Sequence, residues 1–169
     1  LMQDDPRPYV LKNPICSPFS PIHAIICESV ADTLGWIERV DYAEGLFLQE
    51  YLGKEEAGHF VFISGGEINS LVTNQEFKRA FTGDMGPLAG APLAGIVEQD
   101  PEDKYGLARE LIHPLKPWFE KTDYTGPLQV TAIRKNGVWH AIEYNIRLGV
   151  TTTALLLRML KNPVKTLLN

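Results

Sequence analysis

Cysteine is scarce: Cys16 and Cys27 are the only two in 169 residues. Their separation fits no C-x-x-C pattern, so they read as ordinary thiols of a reducing compartment, not a disulfide framework or a metal site. The histidines His23, His59, His113 and His140 are scattered and show none of the spacings that zinc sites use. No apolar run approaches the roughly 18 residues of a transmembrane helix. An excess of positive charge is missing too. Sixteen Lys and Arg stand against 21 Asp and Glu, a formal net charge of −5. That balance gives no electrostatic reason to expect a nucleic acid or an anionic membrane as partner. The opening Leu1-Met2-Gln3-Asp4-Asp5-Pro6 is acidic and lacks the apolar core of a secretory signal, so a cytoplasmic location is expected. Internal repeats and low-complexity tracts are absent as well. What is present, 44% hydrophobic and 22% charged residues, is ordinary for a globular chain. Its length suits one domain, or two small lobes sharing a cleft.

Pattern places the elements. Pro8–Lys12 reads as a short strand ending in a lysine. Asn13–Pro21 is a loop with three prolines and no glycine, through which neither helix nor ladder can run. Ile22–Cys27 is apolar enough for a buried strand. Leu34, Ile37 and Val40 recur at helical spacing, with Trp36 beside them. Leu46–Leu52 is a strand that enters a turn at Gly53. His59–Ser64 and Glu67–Thr73 form a hairpin across Gly65-Gly66. Thr82–Gln99 collects Gly, Pro and Ala and reads as a long loop, expected to be mobile without ligand. A helix is expected to start at Asp100-Pro101-Glu102 and run toward Lys121, bent at Pro114 and Pro117. After Gly149, Thr151 is a candidate cap for a helix containing Leu155, Leu156, Met159 and Leu160. This order predicts an α+β fold with antiparallel hairpins, not a doubly wound βαβ sheet. Trp36, Trp118, Trp139, Phe60, Phe62 and Phe119 read as core, not as a ligand platform.

The most informative stretch is the last hairpin, Leu128–Arg134 and Val138–Ile142 around Asn136-Gly137, followed by Glu143-Tyr144-Asn145-Ile146-Arg147. Alternate strand residues share a face, so Glu143 and Asn145 project together, with Arg147 next in line if the strand continues. A carboxylate and an amide oxygen are hard ligands suited to Mg²⁺. A guanidinium beside them suits a phosphate oxygen. On spacing alone, a hairpin with a solvated polar face accounts for the same residues, because E-x-N is a short pattern.

Upstream lie Leu48-Gln49-Glu50-Tyr51-Leu52-Gly53-Lys54-Glu55-Glu56-Ala57, Asn74-Gln75-Glu76-Phe77-Lys78-Arg79 and Gly83-Asp84-Met85-Gly86-Pro87. In that order the blocks resemble the ATP-grasp superfamily, and within it the phosphoribosylamine–glycine ligase (glycinamide ribonucleotide synthetase) family. That family carries an E-E-F-L-x-G-E-E-A-S hinge, a Q-D-H-K-R segment, a G-D-x-G-P-N-T-G-G-M-G loop and V-I-E-F-N-x-R-F-G-D-P-E. The resemblance runs from about Pro8 to Leu160.

The resemblance implies an ATP-grasp fold of two lobes around a nucleotide cleft, with residues 1–52 as part of the small lobe and 53–169 as the large lobe. It implies ATP and Mg²⁺ (or Mn²⁺) as cofactors. The implied small-molecule substrates are a carboxylate such as glycine and an amine such as phosphoribosylamine. Lys12, Gln49, Glu50, Tyr51, Leu52 and Glu56 are the implied nucleotide-binding residues, with Glu55 in place of Glu56 if the alignment slips by one. Arg79, Asp84, Gly86 and Pro87 are implied to bind substrate, Lys78 and Arg147 to stabilise phosphoryl oxygens, and Glu143 and Asn145 to hold the metal. Three departures are visible. Asn13–Pro21 replaces a glycine-rich phosphate loop; Leu88–Gly95 replaces N-T-G-G-M-G; Val150-Thr151-Thr152 replaces D-P-E. They leave two activities in view: an ADP-forming carboxylate–amine ligase, or a non-catalytic relative that binds nucleotide or serves assembly. The family has further domains at both ends, so the chain is expected to be an excised fragment or a short relative.

Overall fold

The computed structural model describes residues 7–14, 24–39, 45–89 and 91–168, except for the side chains of residues 150, 151 and 166–168. The chain divides into two compact units, Leu1–Leu52 and Gly53–Asn169.

The first unit holds a three-stranded antiparallel sheet. Strand β1 (Tyr9–Lys12) lies between β2 (Ala24–Cys27) and β3 (Phe47–Glu50). Period-two alternation puts Tyr9 and Leu11 on the buried side, where they pack with Cys27, Ile25, Trp36 and Leu48. Helix α1 (Val30–Arg39) meets this cluster through Val30 and Trp36 and buries Thr33, whereas Leu34 and Ile37 are exposed. The apolar stripe expected from helical spacing is therefore not the packed one. The Trp36 ring fixes the face instead, because it carries more apolar area than either aliphatic residue. Cys27 is buried, and burial pushes its thiol up and away from the reactive thiolate form. Cys16, His23 and the expected proline loop beyond Pro14 lie outside the described residues.

The second unit is built on a five-stranded antiparallel sheet in the order β10-β9-β4-β5-β8. Its strands are β4 (Glu56–Ser64), β5 (Glu67–Phe77), β8 (Ala94–Gln99), β9 (Gly126–Lys135) and β10 (Val138–Asn145). Both central hairpins close through left-handed pairs, Gly65 and Gly66 at φ 57° and 77° and Asn136 and Gly137 at φ 53° and 82°. Those conformations match the twist of the flanking strands. A small second sheet pairs β6 (Arg79–Phe81) with β7 (Met85–Leu88). Thr82–Gln99 is thus not a long loop. It contains β7 and the edge strand β8, which adds to β5 from Val72↔Gln99 to Phe77↔Ala94. Cross-strand pairing overrode the Gly/Pro/Ala composition there.

One face of this sheet packs Val61, Ile63, Leu128, Val130 and Ala132 against Leu107, Ala108, Ile112 and Phe119. The covering segment begins later than expected. Residues 100–106 form turns, and Asp103 accepts from the backbone N–H of Ala108 (3.0 Å) and Arg109 (2.7 Å), so the carboxylate satisfies the donors of the first turn. A π-helical turn, Ala108–Ile112, passes through a 3-10 turn, His113–Leu115, into α2 (Lys116–Thr122). Pro114 and Pro117 coincide with those changes, as rings that remove donors dictate. Phe119 is buried, but Trp118 is 52% exposed, so it is not core as expected.

The opposite face buries Phe60, Val72 and Leu156, the last from α3 (Val150–Met159). Gly149, not Thr151, is the residue before the first turn of α3. A short α4 (Pro163–Leu168) follows. No helix of the described residues is long and apolar enough to cross a membrane.

His59 faces the helical side and is fully buried. Its Nδ1 lies 2.7 Å from Thr73 Oγ1, which donates to Asp100 Oδ2 at 2.6 Å, and its Nε2 lies 3.0 Å from Ser70 Oγ. Burial drives its pKa down, with the charges of Asp103 and Asp100 opposing and that of His113 assisting. A base whose folded-state pKa is depressed gives stability that is full above the unfolded value of about 6.5 and lost as pH falls. Denaturant melts between pH 8 and 5 are therefore expected to show a decline for the native chain that is shallower in His59→Gln. Parallel declines would mean that another group carries the acid limb.

Candidate functional site

The site is set by register across the sheet. Gly58 pairs with Asn74 on one side and Thr131 on the other, and Thr131 pairs with Glu143. The next row is Val72, Phe60, Gln129 and Asn145; the row before it includes Glu76 and Glu56. Laterally paired residues and residues two apart share a face. Glu143, Asn145, Glu56 and Glu76 therefore all project from the face that α3 partly covers.

A bulge makes this possible. The pairing shifts between Ala141 and Glu143, leaving Ile142 unpaired. Without that extra residue Glu143 would stand opposite Val130, on the helix-covered face. Trp139 and Ala141 do face the helical side: Trp139 Nε1 donates to the Tyr105 carbonyl at 2.9 Å. The bulge re-aims the strand at the residue where its chemistry changes.

Lys78 lies two residues beyond Glu76 and sits among carboxylates. Its Nζ is 2.5 Å from Glu56 Oε2, 3.6 Å from Glu76 Oε2 and 3.9 Å from Glu143 Oε1. The lysine side chain is 15% exposed. Burial by itself would lower its pKa, but the charges of Glu56, Glu76 and Glu143 and the Glu56 hydrogen bond outweigh it, and the net shift is upward. The ammonium is held charged on this face. Glu143, half exposed, has room for a further partner. Glu143 and Asn145 offer a carboxylate and an amide oxygen, hard donors of the kind that Mg²⁺ takes.

The other sequence-expected residues divide. Arg79 donates to the Gly86 carbonyl at 2.8 Å, pinning the β6–β7 turn. Asp84, left-handed at φ 56°, pairs with Lys54 at 3.4 Å, and Pro87 lies in β7. Arg147 does not extend the row, because β10 ends at Asn145; its Nη1 donates to the Leu148 carbonyl at 3.3 Å. In the first unit, Glu50 accepts from Arg7 at 2.7 Å, Gln49 pairs with Val10, and the Tyr51 N–H donates to the Pro8 carbonyl at 3.2 Å. Lys12, at the end of β1, and Leu52 belong to the same unit. Asn74, Glu76 and Gln129 carry no role in the motif pattern, yet they line this face. Asn74 and Glu76 could have been found by two-residue steps back from Lys78 along one strand; Gln129 had no such signal, because only the bulge in β10 sets it against Asn145.

No family model matches the chain. It is 31% identical over 131 residues to the phosphoribosylamine–glycine ligase of Chlorobaculum tepidum, covering 72% of this chain and 30% of that protein. For the ligase of the same name from Vibrio cholerae the figures are 34% over 109 residues, 60% and 25%. Among solved structures, the phosphoribosylamine–glycine ligase of Thermotoga maritima superimposes with a TM-score of 0.68 at 23% identity, over 88% of this chain and 40% of that one. A D-alanine–D-alanine ligase from Bacillus anthracis complexed with ATP gives 0.56 at 17%, over 92% and 48%. With this sheet, this register and these neighbours, the chain has the ATP-grasp fold. Within it, the chain is similar to phosphoribosylamine–glycine ligase, and it spans 30% of the length of the first of the curated relatives it matches.

Proposed function

We propose that this chain carries the metal- and phosphate-handling part of an ATP-dependent carboxylate–amine ligase of the purine-biosynthesis type, at work in the cytoplasm. The observation that supports it is the shared sheet face: Glu143 and Asn145, turned there by the bulge, stand with Lys78, whose ammonium is held in the charged form. In such ligases ATP phosphorylates a carboxylate and an amine attacks the acyl phosphate. A Mg²⁺ or Mn²⁺ ion, when bound, neutralises charge on the transferred phosphoryl group. Glu143 and Asn145 would hold it. Lys78 would leave Glu56 for a phosphoryl oxygen, and Arg147, exposed at the strand end, would add a second cation. Lys12, Gln49, Glu50, Tyr51, Leu52 and Glu56 are the proposed nucleotide-binding residues. Arg79, Asp84, Gly86 and Pro87 are the proposed substrate contacts. Glycine and phosphoribosylamine are the substrates to try first.

Titration calorimetry with Mg-ATP, with and without those two substrates, tests the reading. Substrate-dependent ADP release supports a ligase. Binding without release supports the alternative, a nucleotide-binding or assembly module, which the proline-rich Asn13–Pro21 and the uncharged Val150-Thr151-Thr152 favour.

Glu143→Gln gives a sharper check. It removes one negative charge from the metal ligands while keeping size and an oxygen. The ligand-induced rise in melting temperature with Mg-ATP is expected to shrink, with stability in the absence of ligand changed by no more than about 0.5 kcal/mol at this half-exposed position. Equal rises in both proteins would remove Glu143 from the metal site.

A further inference from the structure

Behind Lys78 lies a buried polar arrangement that the proposed roles do not use. Gln129 Nε2 donates to Glu76 Oε1 at 2.8 Å, and Asn74 Nδ2 donates to the same oxygen at 3.0 Å. All three residues are buried: Gln129 and Asn74 are each 2% exposed and Glu76 is 6%. Two donors on one oxygen fix the rotation of the carboxylate, because turning it would leave both amides unpaired away from water. The other oxygen, Oε2, is thereby left toward Lys78 Nζ at 3.6 Å. Gly58 keeps the lane open. A Cβ there would stand 2.5 Å from Asn74 Oδ1 and 2.8 Å from Gln129 Nε2, so any larger residue would push the two amides aside.

We infer that Gln129, with Asn74, is a positioning residue that acts through Glu76 to hold the Lys78 ammonium on the sheet face bearing Glu143 and Asn145. Gln129 belongs to β9, Asn74 and Glu76 to β5, and Lys78 follows directly from β5. The relay therefore ties the lysine to the strand that also pairs with β10. The alignment matters because Asn145 stands opposite Gln129 in the same row. A residue that locates Lys78 also locates it relative to Asn145. The catalytic consequence rests on the proposed function; the geometry does not.

The test separates positioning from plain structural support by exchanging the two partners. Glu76→Gln, Gln129→Met and the exchanged pair Glu76→Gln/Gln129→Glu are compared with the native chain. The Lys78 ammonium is titrated by NMR on lysine labelled at Nζ, and melting temperature is recorded for each. Glu76→Gln is expected to lower the pH at which Lys78 titrates, and Gln129→Met to lower it less. The exchanged pair restores an amide–carboxylate hydrogen bond, so its melting temperature is expected to return toward native. The carboxylate has moved away from the lysine, however, so the titration stays lowered. Mg-ATP affinity is expected to weaken on the order of tenfold in both Glu76→Gln and the exchanged pair. Unchanged Lys78 titration in Glu76→Gln and Gln129→Met overturns the inference and leaves a buried hydrogen bond of structural value only; those two variants decide it even if the exchanged pair does not fold. If the native chain fails to bind Mg-ATP, the proposed function falls, while the titration still decides the relay.

Discussion

Replacing Lys78 with methionine is expected to destabilise the chain by about 3 kcal/mol near pH 8. Removing one partner of a buried ion pair costs more than the pair contributes, because the remaining charge is left without its partner. Here three carboxylates, Glu56, Glu76 and Glu143, would face one another without the ammonium. Glu143 is half exposed, so water screens part of the repulsion and holds the cost at the lower end of the range. The pH dependence has a definite sign. The Lys78 pKa is raised in the folded chain, so its contribution is complete below the ordinary lysine value of about 10.4 and fades as pH rises through the raised value. The gap between native and variant should therefore close at strongly alkaline pH. Urea melts of both proteins from pH 5 to 11 measure this directly. A gap that stays flat across the range, or lies below about 1 kcal/mol at pH 8 as for an exposed pair, would mean that Lys78 is not the electrostatic centre of this face.

Phe60→Ala is expected to cost about 3–5 kcal/mol, the range for emptying a buried aromatic site. Phe60 is fully buried at the middle of β4, with Val72 beside it and Leu156 of α3 above it. Its ring also lies 3.3 Å from where a Cβ on Gly149 would stand, so it touches the start of α3 as well as the helix body. The cavity would therefore loosen α3 before it loosened the hairpins, which are paired along their lengths on both sides of β4. Chemical denaturation gives the energy, and amide exchange in Val150–Met159 gives the location. Trp118→Ala is the control: a larger ring, but 52% exposed, expected to cost far less. Similar losses in the two variants would contradict this account of the core.

The antiparallel α+β fold was legible because its hairpins carry their own signals. Asn136-Gly137 and Gly65-Gly66 announce turns, and Leu128–Ala132 alternates with the required period. The shared face of Glu143 and Asn145 followed from alternation alone. Which face that is did not follow, because the bulge at Ile142 is a feature of pairing, and no residue type there demands it. The edge strand β8 was hidden for a related reason: Ala94 and Gly95, at its start, have little strand propensity and are held by the ladder of β5. In α1 the spacing pointed to Leu34 and Ile37, but the residues that a three-stranded sheet could cover were Val30 and Trp36. That Gln129 joins Glu76 behind Lys78 was unreadable for want of distance information. Gln129 and Glu76 are 53 positions apart and become neighbours only through the β4–β5 and β4–β9 pairings.

The unpaired Ile142 gives β10 two parities. Before it, odd-numbered positions answer to the helical layer; after it, odd-numbered positions answer to solvent and to whatever binds there. A substitution map of this strand should then change phase at one residue, with tolerance of charge at even positions up to His140 and at odd positions from Glu143 onward. A strand with such a seam carries two vocabularies in eight residues. Packing selects one and chemistry the other, so each can drift in sequence without rewriting its neighbour.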